Sequence, residues 1–189
     1  MRQGHRIEVA DGFHHVFSRG NQRDPIFTDD LDYAAYLRRL AKVVERFGWL
    51  CHGFCLMPNH YHLLIETPEP NRAAGMHVLN LSYARWFNWR NRRVGHVFQG
   101  PYGAVHVTRD AQLMELCRYI VMNPVRAGLV SDPADWCWSS YGATAGLETA
   151  PAYLCVDRIW GFFAAAGSTG AAEFRDFVAA AVVTLELAV

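Results

Sequence analysis

Apolar and polar positions change period several times along the chain, and each change marks an element. Residues 12–19, Gly-Phe-His-His-Val-Phe-Ser-Arg, are rich in aromatic and β-branched types and stop at Gly20-Asn21. That predicts a short strand with a turn after it. Side chains alternate along a strand, so His15, Phe17 and Arg19 share one face and His14, Val16 and Ser18 the other. Thr28-Asp29-Asp30 then reads as a helix start. Over 31–47, Tyr33, Tyr36, Leu37, Leu40, Val43, Val44 and Phe47 recur at helical spacing, and Gly48 is a natural stop. Residues 49–56 are largely apolar, Pro58-Asn59 makes a turn, and 60–67 predicts the returning strand of a hairpin. Its second half, Leu63-Leu64-Ile65, is apolar on both faces, as in a central strand.

The second half of the chain begins with a predicted helix over 75–93, given an aromatic side by Tyr83, Trp86, Phe87 and Trp89. A loop over 94–100 leads to a short strand at 102–107. Thr108-Arg109-Asp110 caps a third helix over 111–122, which Asn123-Pro124 ends. Residues 135–141 form an aromatic loop or short helix, and 144–170 is loop-rich with a turn of helix around 156–165. A final Ala/Val/Leu helix runs over 171–189. The order β-α-β-β-α-β matches a ferredoxin-like fold of class α+β, an antiparallel sheet with two helices on one face. The third helix is additional. The composition shifts near 145, so 1–145 is expected to form one domain and 146–189 a C-terminal helical extension.

Composition narrows the class. Hydrophobic residues make up 51% of the 189 and charged residues 19%, which fits a folded core and argues against disorder. The net charge of zero hides a gradient. Residues 84–93 hold four arginines and no acid, whereas beyond 145 five acids face only Arg158 and Arg175. A basic face can therefore coexist with a neutral total. The five cysteines include no Cys-X-X-Cys pair, which argues for reduced thiols over structural zinc. The first residues lack the apolar core of a signal peptide, and no run approaches a membrane span, so a cytoplasmic protein with no membrane contact is expected.

His60-Tyr61-His62 opens the central strand. On a strand both imidazoles leave the same face, with Cα atoms about 7 Å apart at ~3.4 Å per residue. They can then reach one metal ion together, although histidines with satisfied hydrogen bonds would fit the pattern as well. A catalytic centre also needs a third ligand and a reacting group. Tyr119 and Asn123 lie four apart on the third helix, on one face and roughly 6 Å apart along its axis. Asn123 would offer an oxygen ligand with the Tyr119 hydroxyl nearby; a core tyrosine is the competing reading. Such a mixed N/O set suits Mg²⁺ or Mn²⁺ with positions open for phosphate oxygens. Arg85, Arg90, Arg92 and Arg93, interleaved with Trp86 and Trp89, combine phosphate-holding cations with rings that can stack unpaired bases. An ordinary helix with core aromatics and a solvated basic end is the alternative. Arg19, Arg23 and Arg126 are further phosphate candidates.

The ordered blocks carry more than their parts. Met57-Pro58-Asn59-His60-Tyr61-His62, then Arg118-Tyr119-Ile120-Val121-Met122-Asn123-Pro124-Val125-Arg126-Ala127-Gly128, resemble the IS200-like tyrosine transposases. The branch associated with repetitive extragenic palindromes is the most similar. Phe13 to Asn21, the block Gly95-His96-Val97-Phe98-Gln99-Gly100, and Trp136-Cys137-Trp138-Ser139-Ser140-Tyr141 also look like that family, so the resemblance runs over about 10–145. It implies a ferredoxin-like endonuclease domain of the HUH type. In that class two histidines and a third polar side chain hold a divalent metal on a single-stranded DNA phosphate. A helix-borne tyrosine attacks the phosphorus, giving a 5′-phosphotyrosine and a free 3′-hydroxyl. Carried over, His60 and His62 are metal ligands, Asn123 the third ligand and Tyr119 the nucleophile, with single-stranded hairpin DNA as partner. Both homodimers and monomers occur in the family, so either state is open. A hairpin-binding protein without cleavage and a replication- or conjugation-type nickase are the alternative functions. One departure stands out: Gly100-Pro101-Tyr102-Gly103 carries no charge where relatives are basic, which weakens phosphate contacts there.

Overall fold

The computed structural model describes residues 9–164 and 167–186, with side chains to 181. Four strands, β1 (Gly12–Arg19), β2 (Leu50–Met57), β3 (His60–Thr67) and β4 (Gly103–Val107), form one antiparallel sheet in the order β2-β3-β1-β4. Helices α1 (Asp30–Phe47) and α2 (Arg72–Arg90) link β1 to β2 and β3 to β4. This is the expected α+β, ferredoxin-like arrangement.

The helices form where the chain satisfies their ends. Asp29 caps α1 by accepting from the backbone N–H groups of Leu31 and Asp32 at 3.1 and 3.2 Å. Gly48 ends it in the left-handed conformation at φ +63°. Helix α2 starts three residues before the expected 75 and stops at Arg90 instead of 93. Gly75 is an interior residue chosen for contact: a Cβ there would sit 2.1 Å from Trp49 Cζ2. The Trp49 indole N–H in turn donates to Asn71 Oδ1 at 2.6 Å, so ring and helix start are fixed together.

Both faces of the sheet are covered. Tyr61, Leu63 and Ile65 of β3 pack with Tyr36, Leu40, Leu79 and Tyr83 of α1 and α2. On the other face Cys55, Met57 and Leu64 meet Leu113, Cys117 and Ile120 of helix α3 (Asp110–Val121). That explains why Leu63-Leu64-Ile65 is apolar throughout. After α3 the chain breaks at Met122 and makes a short helix α4 (Asn123–Arg126), so Asn123-Pro124 starts a further turn instead of ending all helix. Tyr141–Thr144 forms another short helix, α5.

The extension beyond 145 lies against the sheet and α3. Leu154 bridges Cys51 on β2, and helices α6 (Asp157–Phe163) and α7 (Ala171–Glu186) bring Ile159, Phe174 and Val178 into the α3 core. Arg158 donates to Glu66 Oε1 at 2.7 Å, and His52 Nε2 meets Glu66 Oε2 at 2.8 Å, stapling α6 to β2 and β3. Residues 165–166 and 187–189, parts of two expected helices, lie outside the described residues. Among the described residues no helix is long and apolar enough to cross a membrane.

Candidate active site

The site forms where β1, β3 and the α3–α4 junction meet. His60 and His62 leave the same face of β3, their ring centroids 5.2 Å apart. The Tyr119 ring stands edge-on to His62 at 5.5 Å and to His15 of β1 at 6.0 Å. Arg126 sits over the Tyr119 ring at 5.2 Å. These side chains, with Arg19, Phe17, Asn123, Met57 and Ala127, line one cavity of about 430 Å³. Tyr119 is 36% exposed, so it is open to a ligand entering that cavity. A second cavity of about 390 Å³ shares Phe17, Arg19, His60 and His62 and extends to Gln99, Gly100 and Pro101. The same Gly100-Pro101 ridge borders a groove of about 710 Å³ along α2, lined by Arg85, Asn88 and His96.

Hydrogen bonds set the orientation of the polar side chains. His60 Nδ1 lies 2.7 Å from Asn59 Oδ1, an acceptor, so His60 carries its proton on Nδ1 and leaves Nε2 with a lone pair. The Asn123 amide donates to the carbonyls of Tyr119 and Ile120 at 2.8 and 3.3 Å. Its oxygen is thereby left unengaged by those carbonyls and lines the same cavity as His60. His62 Nδ1 lies 2.9 Å from His15 Nε2, which leaves Nε2 of His62 as the ring nitrogen not engaged by His15.

Burial keeps the imidazoles neutral. It lowers His62 to about 3, helped by the nearby His15, His60 and Arg19. His60 falls to about 4 through burial and Arg19, against a smaller raising effect of the Asn123 oxygen, which favours the protonated ring. His15 falls to about 4 through burial alone. A neutral imidazole is the form that binds a metal. Among the described residues no three His, Cys, Asp or Glu side chains converge on a metal position. Two imidazoles and the Asn123 oxygen are a different kind of donor set, whose types fit a hard or borderline divalent ion. All three donors are neutral, so an ion held there would need an anionic ligand to balance its charge.

The structure brings His60, His62, Tyr119, Asn123, Arg19 and Arg126 together. It places the other basic candidates elsewhere. Arg85 lines the α2 groove. Arg90 pairs with Asp29 and Asp32 at 2.5 and 2.7 Å, joining α2 to the start of α1, and Arg93 pairs with Asp24 at 3.1 Å. Trp86 has the Arg39 and Arg90 guanidiniums 5.1 and 5.8 Å from its ring centre and packs on the α1/α2 core. Arg23 and Arg92 are exposed, both at positive φ, and the Arg23 carbonyl accepts from Asn59. Sequence reasoning did not include His15 in the site. The available signal was its place on the same strand face as Arg19 in a strand that pairs with β3, where Phe17 opposes His62 and His15 opposes Leu64.

Known proteins resemble this chain in sequence and in fold. The family model described as "Transposase IS200 like" matches residues 9–123. A protein of Haemophilus influenzae that carries the name REP-associated tyrosine transposase is 26% identical over 132 residues, 64% of this chain and 75% of its own. Among solved structures, a REP-associated tyrosine transposase bound to a REP hairpin superposes with a TM-score of 0.67 at 17% identity, over 82% of this chain and 92% of that one. At that identity the likeness establishes the shared fold.

Proposed function

The chain belongs to the family of IS200-like transposases, and from that premise we propose that it cuts and rejoins single-stranded DNA at hairpin-forming palindromes, with Tyr119 as nucleophile. The observation that carries the reading is the convergence in one cavity of Tyr119, His60, His62, Asn123 and two arginines, Arg19 and Arg126. Neither arginine forms an ion pair among the described residues, so both are available to a phosphate. The hairpin bound by the structural relative and the name of the Haemophilus influenzae protein support a palindromic DNA partner.

In this reading Arg19 and Arg126 seat the scissile phosphate between the histidines and Tyr119. The Tyr119 oxygen forms a bond to phosphorus as it loses its proton. The bond from phosphorus to the 3′-oxygen breaks, and that oxygen leaves and takes up a proton. The products are a 5′-phosphotyrosine on Tyr119 and a free 3′-hydroxyl. The reverse attack by a 3′-hydroxyl restores a phosphodiester without an external energy source, which suits strand transfer better than hydrolysis. His60, His62 and Asn123 would hold the divalent ion, Mg²⁺ or Mn²⁺, which when bound withdraws charge from the phosphate and favours the leaving oxyanion. A cytoplasmic setting gives access to DNA, and the complete site within one chain is compatible with a monomer or a homodimer.

The test is incubation with single-stranded hairpin oligonucleotides carrying their flanking sequence, with Mg²⁺ or Mn²⁺, followed by a denaturing gel. A covalent protein–DNA band is expected with the parent protein and none with Tyr119→Phe, while both bind the hairpin. Cutting by Tyr119→Phe at the parent rate would remove Tyr119 from the mechanism. Hairpin binding without any adduct would favour the cleavage-inactive reading.

A further inference from the structure

His15 and His62 share one hydrogen bond between two ring nitrogens, Nε2 of His15 and Nδ1 of His62, 2.9 Å apart. Such a bond holds one proton, and its owner decides what His62 can do. If His15 donates from Nε2, His62 accepts at Nδ1 and carries its own proton on Nε2, the nitrogen not engaged by His15. No lone pair is then offered there. If His62 donates from Nδ1, His15 accepts and keeps its proton on Nδ1, and the His62 Nε2 lone pair is free. Both arrangements contain the same protons. Only the second matches His60, where Asn59 Oδ1 draws the proton onto Nδ1 and frees Nε2.

We infer that His15 is a positioning residue: it accepts the Nδ1 proton of His62 and holds that ring in the tautomer able to ligate a metal. The inference rests on the proposed role of His60 and His62 as ligands. Metal-bound histidines ordinarily donate their second ring nitrogen to a carboxylate, carbonyl or water, and loss of that partner costs about 10–100-fold in affinity or activity. In this site the partner is a third imidazole. It comes from the neighbouring strand, at the diagonal position across the β1–β3 pairing. The two ring planes are within 25° of each other and their centroids are 5.1 Å apart, so the rings meet edge to edge and His15 fixes the plane of His62 as well as its proton. His15 also stands edge-on to Tyr119, so it ties ring and nucleophile into one unit.

The test uses the full chain and two readouts. In the metal-free protein, ¹⁵N-resolved NMR of the histidine rings reports which nitrogen of His62 is protonated. Mn²⁺ alone, titrated while its paramagnetic broadening of the His60 ring is followed, reports affinity. His15→Phe keeps an aromatic ring on β1 but removes the acceptor. It is expected to move the His62 proton toward Nε2 and to weaken Mn²⁺ binding by about 10–100-fold. His15→Gln, whose amide oxygen falls near the position of the lost Nε2, is expected to restore the Nδ1 proton and most of the affinity; a packing role alone would not show that rescue. An unchanged tautomer and unchanged affinity in His15→Phe overturn the inference while leaving the metal reading intact. Unchanged Mn²⁺ binding in His62→Ala overturns the metal reading, and the role of His15 with it.

Discussion

Four histidines with lowered pKa values make a sharp statement about acid stability. His14 is fully buried and accepts from Arg72 at 2.7 Å; burial first, then Arg72 and His106, lower it to about 4. His62, 7% exposed, is lowered to about 3. In the unfolded chain a histidine titrates near 6.5. As the pH falls below that value the unfolded state takes up protons and the folded state does not, so stability is complete above 6.5 and is lost as pH falls toward the folded values. At pH 5 each buried ring is 1.5 units below the unfolded midpoint, a cost of about 2 kcal/mol at 1.36 kcal/mol per unit. His14 and His62 together cost about 4 kcal/mol, a large part of the 5–15 kcal/mol typical of a domain. The half-buried His15 and His60 add a smaller, solvent-screened share. For a chain of this size, about 4 kcal/mol corresponds to a fall in Tm of roughly 8–16 °C. Thermal melts followed by circular dichroism at pH 8, 6.5 and 5 measure it, above the range where carboxylates begin to protonate. His62→Gln and His14→Gln should each remove about 2 kcal/mol of the pH dependence, whatever they do to stability at pH 8. A Tm level between pH 8 and pH 5, or a dependence unchanged in both variants, would refute the reasoning.

Three further outcomes are expected. Gly75→Ala should lower the unfolding free energy measured by urea titration by about 2 kcal/mol: the ~1 kcal/mol propensity gain is outweighed by driving a Cβ into the buried Trp49 ring, whose N–H is tethered. Gly161→Ala in α6, where a Cβ meets nothing within 4 Å, should instead raise it, and the opposite pair of signs would sink the packing argument. Arg19→Ala should weaken hairpin binding and reduce the salt dependence by about one counterion, whereas Arg90→Ala should lower Tm with the salt slope unchanged; equal slopes for both would contradict the division of the arginines. Mixing the His62→Ala protein with Tyr119→Phe should restore no covalent adduct, since each chain's Tyr119 lies against its own His62; recovery on mixing would show a site shared between chains.

Periodicity carries the fold. Strand and helix patterns differ enough that every sheet strand and both helices of the ferredoxin-like unit can be read from the residues, and Leu63-Leu64-Ile65 identifies the central strand. Boundaries were harder where a residue serves contact instead of conformation. Gly75 looks like a helix start because glycine is a poor helix former, yet it lies inside α2 to admit Trp49. Asn123-Pro124 looks like a helix end because proline lacks a donor, yet proline is well placed at the start of the next turn. The candidate site residues fall in two short motifs, His60-Tyr61-His62 and Tyr119 to Asn123, so spacing and family resemblance point to them. The fate of the arginines could not. Arg90 and Arg93 meet acids 58 to 69 positions away, and a local cluster of cations gives no warning that its charges are already spent within the fold. His15 escaped notice for the same reason: its partner lies 47 residues off on another strand.

The segment with the least motif content has a direct hold on the helix that carries Tyr119. Helix α3 carries no ladder bond to the sheet; its position comes from side-chain packing on both of its sides. Leu113, Cys117 and Ile120 seat it on the sheet, and Phe174 and Val178 of α7 close over the same cluster. Arg118, the residue before Tyr119, places its guanidinium 4.4 Å from the Phe177 ring. The extension is itself held to β2 and β3 by Arg158 on Glu66 and by Leu154 beside Cys51. Two separate ties therefore run from the sheet, one at β3 and one at β2, through the extension to the helix that bears Tyr119. Swinging α3 onto a partner's sheet would break the packing on both sides at once and expose the apolar inner face of α7. The extension packs on the helix that carries Tyr119 toward His62, although among the described residues it contributes no side chain to the cavity they share.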